Sequence, residues 1–503
     1  MSGPSHGLSR YDMLVRACDQ HHALAIPFPQ IFGRLGPRNP VTGTAPDGKP
    51  FDAKRVTEAF IAAVDGMRDE TDPEGAAGAA LTFFGQFIDH DVTLDTTSAI
   101  GTRIDPRTIR NVRTPGLDLD CVYGDGPEGS PHLYSPDHHG YLLYGTKSNP
   151  HDLARTCKGV ALIGDPRNDE NAVVSQLHGL FVALHNILMD ALMKDESMVA
   201  AAFAGVRAQA VAEDMKAVDR PFEAARRIMR LHYHWLILNE FLPAFVDGEV
   251  LKTALHTIRK GRLPEPWTKD SPVMPVEFSG AAFRFGHATI RSRFRFNDAH
   301  PDVGLFEMGA FGAREASQNI AFGNLLAYPG GGAFQKARPV GRKLPAAIFS
   351  LPFVNSGLTI DGHELSVTEA KKLPARNLFR DRFALELPSG QQMARAMGAK
   401  EIAAPKELTK AGITKTPLWY YCLHEAEHFG GKLGPVGGGM VATVLIRLMA
   451  LDHESLLCSA EDFTPWAALG ATAKGEWSLG RMAQFVEENR DKVSVAAALR
   501  CPD

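Results

Sequence analysis

The chain has 503 residues, of which 44% are hydrophobic and 22% are charged, a balance typical of a soluble globular protein that buries a full core. Disordered and fibrous classes are therefore excluded. Its 54 Lys and Arg residues against 58 Asp and Glu residues give a net charge of −4, so no excess positive charge is available to hold a phosphate backbone, and we expect no nucleic-acid partner.

The N-terminal region, residues 1–50, is rich in glycine, proline and asparagine and lacks sustained periodicity. This composition predicts an irregular arm. No basic segment followed by an apolar one begins the chain, so we expect no secretory signal and a cytoplasmic location. The six cysteines lie far apart without a C-x-x-C pair, which favours reduced thiols over a disulfide framework.

Residues 51–503 show mainly helical periodicity, which predicts one large, mainly α domain with little β structure and long loops. The most apolar stretches, Val173–Leu184 and Val441–Leu451, contain polar side chains, so we expect no membrane span. The clearest predicted helices are Lys54–Met67, Ala79–Asp89, Ala172–Lys194, Arg207–Asp219, Pro221–Leu242, Gln391–Met397 and Trp419–Glu427.

The first motif with candidate functional residues is GQFIDHD, at Gly85–Asp91. In a helix, Gln86 and His90 project from one face, with Asp89 and Asp91 on either side of the histidine. The motif thus directs an amide and a titratable base into one space. The alternative is a histidine that is satisfied in a helix interface.

The second motif is TPGLDLDCVYG, at Thr114–Gly124. Its spacing does not fit an EF-hand, because the third ligand and the glycine of that loop are missing. Oxygen donors nevertheless recur at every second position and could bind one hard cation. A polar turn is the alternative. The donors are Thr114, Gly116, Asp118 and Asp120.

The third motif is GDPRNDEN, at Gly164–Asn171. Asp165 and Pro166 are typical of a helix start, and Arg167 and Glu170 then lie three residues apart on one face. On these residues alone, the pair could be an intrahelical ion pair or part of a site.

The fourth and fifth motifs follow in FRFGHATI, at Phe283–Ile290, and RNLFRDR, at Arg376–Arg382. His287 lies among aromatic and small residues, which suits an imidazole packed against a flat apolar group. Asn377 and Arg380 lie three residues apart. The alternatives are a core histidine and a solvated basic helix face.

A competing motif is HEAEH, whose His424, Glu425 and His428 fit the H-E-x-x-H pattern of zinc hydrolases. Where the longer zinc motif requires a third histidine, this chain has Gly434. Further along the chain, Glu454 is a candidate third zinc ligand in place of the missing histidine. A zinc metallohydrolase is therefore a remote alternative function.

Taken in order, the first five motifs resemble those of the animal-type haem peroxidases, the superfamily of peroxidases and cyclooxygenases that includes myeloperoxidase and lactoperoxidase. The chain looks most like the compact bacterial members, from about Leu81 to Met449. The resemblance implies a helical haem peroxidase domain with haem b and calcium. It further implies heterolysis of hydrogen peroxide and oxidation of halides, pseudohalides or phenolic donors.

The resemblance also implies a role for each motif residue. The catalytic residues would be His90 as the distal histidine, Arg167 and Gln86. The haem-binding residues would be His287 as the proximal iron ligand, Asn377 to orient it, Arg380 as a propionate partner, and Asp89 and Glu170, which match the acids esterified to haem in mammalian relatives. The calcium ligands would be Asp91, Thr114, Gly116, Asp118 and Asp120.

Two positions depart from the mammalian peroxidases of the family, and a third distinguishes the chain from cyclooxygenases. Asp120 replaces a serine and makes the calcium loop more anionic, and Asn171 lies near the methionine that bonds to haem in myeloperoxidase, a link we expect to be absent. In cyclooxygenases a tyrosine lies three residues before the proximal histidine, where this chain has Arg284. A fatty-acid dioxygenase of cyclooxygenase type is the main alternative, and Arg284 counts against it, because a guanidinium cannot hold the radical that the tyrosine carries. The sequence leaves the electron donor and the oligomeric state open.

Overall fold

The computed structural model describes residues 32–39, 48–49, 52–93, 116–204, 215–268, 271, 273–458 and 462–502. Most of the predicted N-terminal arm and Thr114 lie outside these residues. The described residues form one mainly helical domain with short strands, which confirms the predicted fold class.

Eight α-helices of ten or more residues form the framework of the described residues. They are α1 Ala53–Asp65, α2 Ala79–Val92, α3 Ala172–Leu192, α4 Arg220–Leu236, α5 Gly248–Arg259, α6 Leu418–Glu427, α7 Gly437–Leu451 and α8 Leu479–Asn489.

Shorter helical segments connect this framework. The α-helical ones are Asp120–Tyr123, Gly126–Gly129, Glu196–Ala202, Leu242–Phe245, Val276–Gly280, Gly286–Thr289, Val367–Ala370, Leu373–Phe379, Gly390–Ala396 and Lys406–Thr409. The 3₁₀ turns are Pro131–Leu133, Pro166–Asp169, Ala282–Phe285, Ala316–Gln318, Phe322–Asn324, Ala346–Phe349, Ala467–Leu469, Arg490–Lys492 and Ala496–Leu499. Two π-helical turns are Ile237–Phe241 and Arg380–Ala384.

The described strands form three two-stranded sheets. One hairpin turns through Asp361 and Gly362, whose φ values of 49° and 78° fit the Asp-Gly turn that matches strand twist. The pairs are Arg68–Asp69 parallel to Leu344–Pro345, Arg293–Phe294 antiparallel to Val303–Gly304, and Leu358–Ile360 antiparallel to His363–Leu365.

An aromatic cluster fixes α2 against α3 and α4. The Phe87 ring stacks on Phe181 of α3 at a centroid distance of 4.7 Å and meets Tyr233 of α4 edge-on at 6.0 Å. All three rings are buried, and each contributes on the order of 2 kcal/mol through burial of apolar surface. The packing holds α2 rigidly, and α2 carries the GQFIDHD motif.

The predicted helices agree with the structure except in two places. Residues 215–219 of the predicted helix Arg207–Asp219 form a turn, and residues 205–214 lie outside the described part. The predicted helix Pro221–Leu242 ends as an α-helix at Leu236 and continues as a π turn. A π turn adds one residue to a helical period, and hydrophobic spacing does not reveal it over so short a segment.

The helix α3 is the longest α-helix among the described residues and is largely apolar. By length and composition, α3 could cross a membrane, although we expected its polar side chains to exclude a span. In this fold, 94% of its most apolar window is buried inside the protein. Contact with the other helices therefore accounts for its apolar sequence.

Candidate active site

A cavity of about 330 Å³ opens between α2 and the segment that carries FRFGHATI. Aromatic rings of Phe83, Phe241 and Phe283 form part of its wall. The polar residues of three motifs meet there, and they are Gln86, Asp89, His90, Arg167, Glu170, Arg284 and His287. The structure therefore brings together residues that are up to 200 positions apart in the chain.

His90 is held by a residue that we did not single out from the sequence. Its Nδ1 donates to Asn168 Oδ1 at 2.8 Å, and Asn168 Nδ2 donates to His178 Nδ1 at 3.1 Å. The Nε2 atom of His90 therefore carries the lone pair. Burial, and then the charge of Arg167, lower the pKa of His90 to about 4, so the imidazole is neutral near pH 7.

Arg167 is fixed by the turn Pro166–Asp169, which begins at the N-cap residue Asp165. The Asp165 carboxylate accepts from Arg167 Nε at 3.1 Å and from Nη2 at 2.8 Å. Nη2 also donates to the carbonyl groups of His90, at 3.2 Å, and Thr93. These bonds replace the expected ion pair with Glu170 and hold a positive charge at the cavity wall.

Gln86 connects two residues that follow Arg167. Its Nε2 donates to Glu170 Oε2 at 3.0 Å, and its Oε1 accepts from Asn171 Nδ2 at 3.1 Å. Asn171 is also the N-cap of α3, because its Oδ1 accepts from the backbone N–H groups of Val173 and Val174. Burial raises the pKa of Glu170.

His287 lies in the short helix Gly286–Thr289, and Asn377 lies 2.8 Å away in the helix Leu373–Phe379. Asn377 Nδ2 donates to His287 Nδ1, whereas we expected its carbonyl oxygen to accept from this atom. A half-turn of the amide group exchanges oxygen and nitrogen, and ligation of a metal through Nε2 requires that exchange. Burial, and then the charges of Arg284 and Arg380, lower the pKa of His287 to about 3, so the imidazole is neutral.

The two motifs that contain His287 and Asn377 also contain Arg284, Arg376 and Arg380. Arg284 and Arg376 line the cavity, and burial lowers the pKa of both. Arg380 begins a π turn and is not part of the cavity wall, so its role toward a propionate stays a prediction. Arg376 opens the RNLFRDR motif, and its place one turn before Arg380 was the available sequence signal.

The predicted cation site brings three carboxylates together. Ligand oxygens of Asp91, Asp118 and Asp120 lie within 4.8 Å of one another. Asp91 is fully buried, and burial together with the charge of Asp118 raises its pKa to about 8. Such a cluster is self-repelling unless a cation binds it, so the donors fit a hard metal ion. Gly116 lies beside Asp118, and Thr114 is outside the described residues.

The HEAEH motif does not form a hydrolytic zinc site. Glu425 is buried, and its carboxylate accepts from the backbone N–H groups of Val436 and Gly437 at 3.0–3.1 Å, where it caps the start of α7. It is therefore unavailable as a base between His424 and His428. Among the described residues, this motif supplies no group of three potential metal ligands.

The contact between His90 and Asn168 leads to a prediction. In the reaction with peroxide that the sequence resemblance implies, Asn168→Ala should lower the rate by about tenfold, since the acceptor that fixes the His90 tautomer is lost. Asn168→Asp should keep that acceptor and raise the pKa of His90. The rate should therefore fall with acidity near pH 4 in the wild type and at higher pH in the Asp variant. Stopped-flow rates against pH test both expectations, and equal profiles in all three proteins would contradict them.

The cavity fits haem on its donor set. His287 is a neutral imidazole at the cavity wall, and with the Asn377 amide turned so that its oxygen accepts from Nδ1, its Nε2 would be available to bind iron. A side chain added at Gly286 would meet nothing within 4 Å, so the backbone beside His287 borders open space. The aromatic wall suits a flat apolar ring.

Two curated relatives match parts of the chain. Heme peroxidase 2 of Caenorhabditis elegans is 28% identical over 206 residues, which cover 38% of this chain and 26% of the relative. Chorion peroxidase of Drosophila melanogaster is 31% identical over 80 residues, which cover 16% of this chain and 10% of the relative. This chain therefore spans much less than two thirds of either relative.

Solved structures share the fold at low sequence identity. Peroxidase A from Dictyostelium discoideum has a TM-score of 0.56 at 14% identity, with 86% of this chain and 89% of that chain covered. The fatty acid α-dioxygenase of Oryza sativa has a TM-score of 0.58 at 16% identity, with 98% of this chain and 87% of that chain covered. The two scores do not separate the two chemistries.

The sequence profile of the animal haem peroxidases matches residues 95–409, more than half of the chain. The matched range contains Arg167, His287 and Asn377, and it begins just after the helix that carries His90. This protein belongs to the animal haem peroxidase family.

Proposed function

We propose that the protein is a haem-dependent peroxidase that reduces hydrogen peroxide and oxidises halides, pseudohalides or phenols. The observation that carries this proposal is the convergence of His90, Arg167 and His287 on one cavity. A neutral base, a fixed cation and a neutral imidazole ligand are the three groups that peroxide heterolysis needs.

The chain's own residues divide this work. When bound, haem supplies iron that binds peroxide and stores two oxidising equivalents. His90 accepts a proton at Nε2 from the inner peroxide oxygen and returns it to the outer one, because Asn168 fixes the proton on Nδ1. Arg167 stabilises the negative charge on the departing oxygen. His287 would hold the iron through Nε2, and Asn377, with its carbonyl turned to Nδ1, would fix the tautomer.

Two further binding roles belong to the proposal. We assign calcium to Asp91, Asp118 and Asp120, with Thr114 and Gly116 as further donors, because a bound cation relieves the repulsion within the acidic cluster. Asp89 and Glu170 both line the cavity and are the acids available for ester links to haem.

The cavity favours a peroxidase over a fatty-acid dioxygenase. Among the described residues that line it there is no tyrosine to hold a radical beside an alkyl chain. Arg284 lies three residues before His287, where cyclooxygenases have the tyrosine. A guanidinium resists one-electron oxidation, and its charge opposes binding of an alkyl chain.

An oxygen electrode and a dye assay test this choice. We expect hydrogen-peroxide-dependent oxidation of iodide, bromide, thiocyanate or a phenolic dye, and no oxygen uptake when a polyunsaturated fatty acid is added. Rapid oxygen consumption with the lipid would overturn the proposal in favour of the dioxygenase. Protein without bound haem serves as the control for background oxidation.

A further inference from the structure

A second pocket, of about 470 Å³, lies at the surface beside α6. Its apolar part is the segment 402–405, and its polar part includes Arg342, Glu407, His424 and His428. The HEAEH motif therefore contributes to a pocket even though it forms no hydrolytic zinc site. The peroxidase reaction proposed above makes no use of this pocket.

A buried tyrosine lies against the pocket wall. Tyr420 is 1% exposed, and its hydroxyl donates to Glu407 Oε1 at 2.6 Å. The Arg342 guanidinium lies 5.9 Å from the ring centroid. Burial raises the pKa of Glu407, but the bond from Tyr420 and the charge of Arg342 outweigh it, and the net pKa is lowered. The Tyr420 hydroxyl thus has an ionised proton acceptor in hydrogen-bond contact.

The residue before this tyrosine reaches the wall of the haem cavity. Trp419 is fully buried, and its Nε1 donates to the Arg284 carbonyl at 3.3 Å. Arg284 lines the haem cavity and lies three residues before His287. One hydrogen bond and a short covalent path thus join the cavity wall to Tyr420. Indole and phenol are among the side chains most readily oxidised by one electron.

We propose that Trp419 and Tyr420 carry oxidising equivalents from the haem cavity to this surface pocket, where phenolic donors too large for the cavity are oxidised. The proposal rests on the peroxidase function proposed above. It adds a second substrate site, with bulky phenols as its substrate class.

The step balances as a proton-coupled electron transfer. Tyr420 gives up one electron through Trp419 toward the cavity, and its hydroxyl proton passes to Glu407. A phenol in the pocket then returns an electron to Tyr420, Glu407 returns the proton, and the donor loses its own proton to water. Two such cycles consume one hydrogen peroxide and release two waters and two phenoxyl radicals.

The pocket combines apolar surface with polar groups that suit an aromatic alcohol, and Lys406 adds a positive charge to its wall. Arg342 is paired with Glu407 and with Glu427, the latter at 2.8 Å, so its charge is balanced within the wall. The segment 402–405 offers apolar surface to a ring. The His424 and His428 rings, with centroids 5.2 Å apart, offer hydrogen-bond partners to a phenolic hydroxyl.

The test compares two donors in the haem-loaded protein. Iodide enters the haem cavity, whereas tyramine coupled to dextran is a phenol that the cavity cannot admit. Tyr420→Phe should reduce oxidation of the dextran-linked phenol by about tenfold and leave iodide oxidation within about twofold. The matched control is Tyr141→Phe, which removes another buried hydroxyl that donates to a carboxylate, that of Asp190 at 3.5 Å, and that does not line this pocket. It should change neither rate.

A second readout follows the radical itself. After peroxide is added without a donor, freeze-quenched samples should show a tyrosyl signal by electron paramagnetic resonance in the wild type and in Tyr141→Phe. The signal should be lost in Tyr420→Phe and weakened in Glu407→Gln, whose amide is a poor proton acceptor.

The outcomes separate the two proposals. Unchanged phenol oxidation and an unchanged radical signal in Tyr420→Phe, with iodide still oxidised, would overturn the electron path alone. Failure of the wild type to oxidise either donor would overturn the peroxidase function, and the path with it.

Discussion

His287→Ala should lose the haem absorption band or all peroxidase activity, because it removes the neutral imidazole placed to bind iron. His90→Ala should keep haem and react with peroxide about 10²–10⁴ times more slowly, since only the base is lost. Absorption spectra of the purified variants report haem binding, and stopped-flow mixing with hydrogen peroxide reports the rate. The two histidines line the same cavity, so each variant is a matched control for the other.

Equal loss of haem in both variants would contradict the assignment of distal and proximal roles. Ester links through Asp89 and Glu170 would keep haem attached even without His287. Extraction with acidified organic solvent separates these cases, because it releases haem that is not covalently bound. Retention after extraction, together with lost activity, still agrees with His287 as the iron ligand.

Asp118→Ala should release calcium, lower thermal stability and reduce peroxidase activity together. Asp91 directly follows His90 in α2, so a cation shared with the loop would fix the end of the helix that carries the base. Losing an ion that binds only the folded state costs about 3–4 kcal/mol when calcium exceeds its Kd by a factor of 10²–10³.

Metal analysis, thermal unfolding and steady-state rates measure these three effects. Asp137→Ala is the matched control, because Asp137 is an exposed aspartate outside the acidic cluster. The absence of calcium from active, never-chelated protein would contradict the assignment. So would an Asp118→Ala variant that unfolds at the wild-type temperature.

The sequence predicted the framework better than the connections within the site. The helical period places α2 within three residues of its observed end, because a helix packed on one side repeats its apolar residues every three to four positions. The resemblance of the motifs to those of the animal-type haem peroxidases also predicted that His90 and His287 belong to one site. Nothing local distinguishes Asn168 from a polar turn residue, because its function depends on His90 and His178, which other segments supply.

The motif HEAEH shows that a sequence pattern can also fit a site that the fold does not form. Its spacing fits zinc ligation. In the structure, however, Glu425 is buried and its carboxylate caps the start of α7. A carboxylate near a helix start stabilises unpaired backbone N–H groups, and this use leaves no trace in a short pattern.

In the hydrogen bonds that link His90, Asn168 and His178, His90 donates to Asn168 and Asn168 donates to His178. An amide presents an acceptor and a donor on one rigid plane, so the proton position on one imidazole dictates the proton position on the other. Reversing His90 would require the amide to rotate and His178 to move its own proton. His178 lies in α3 and is not part of the cavity wall. A residue that never meets peroxide thus helps to determine which nitrogen of the base faces it.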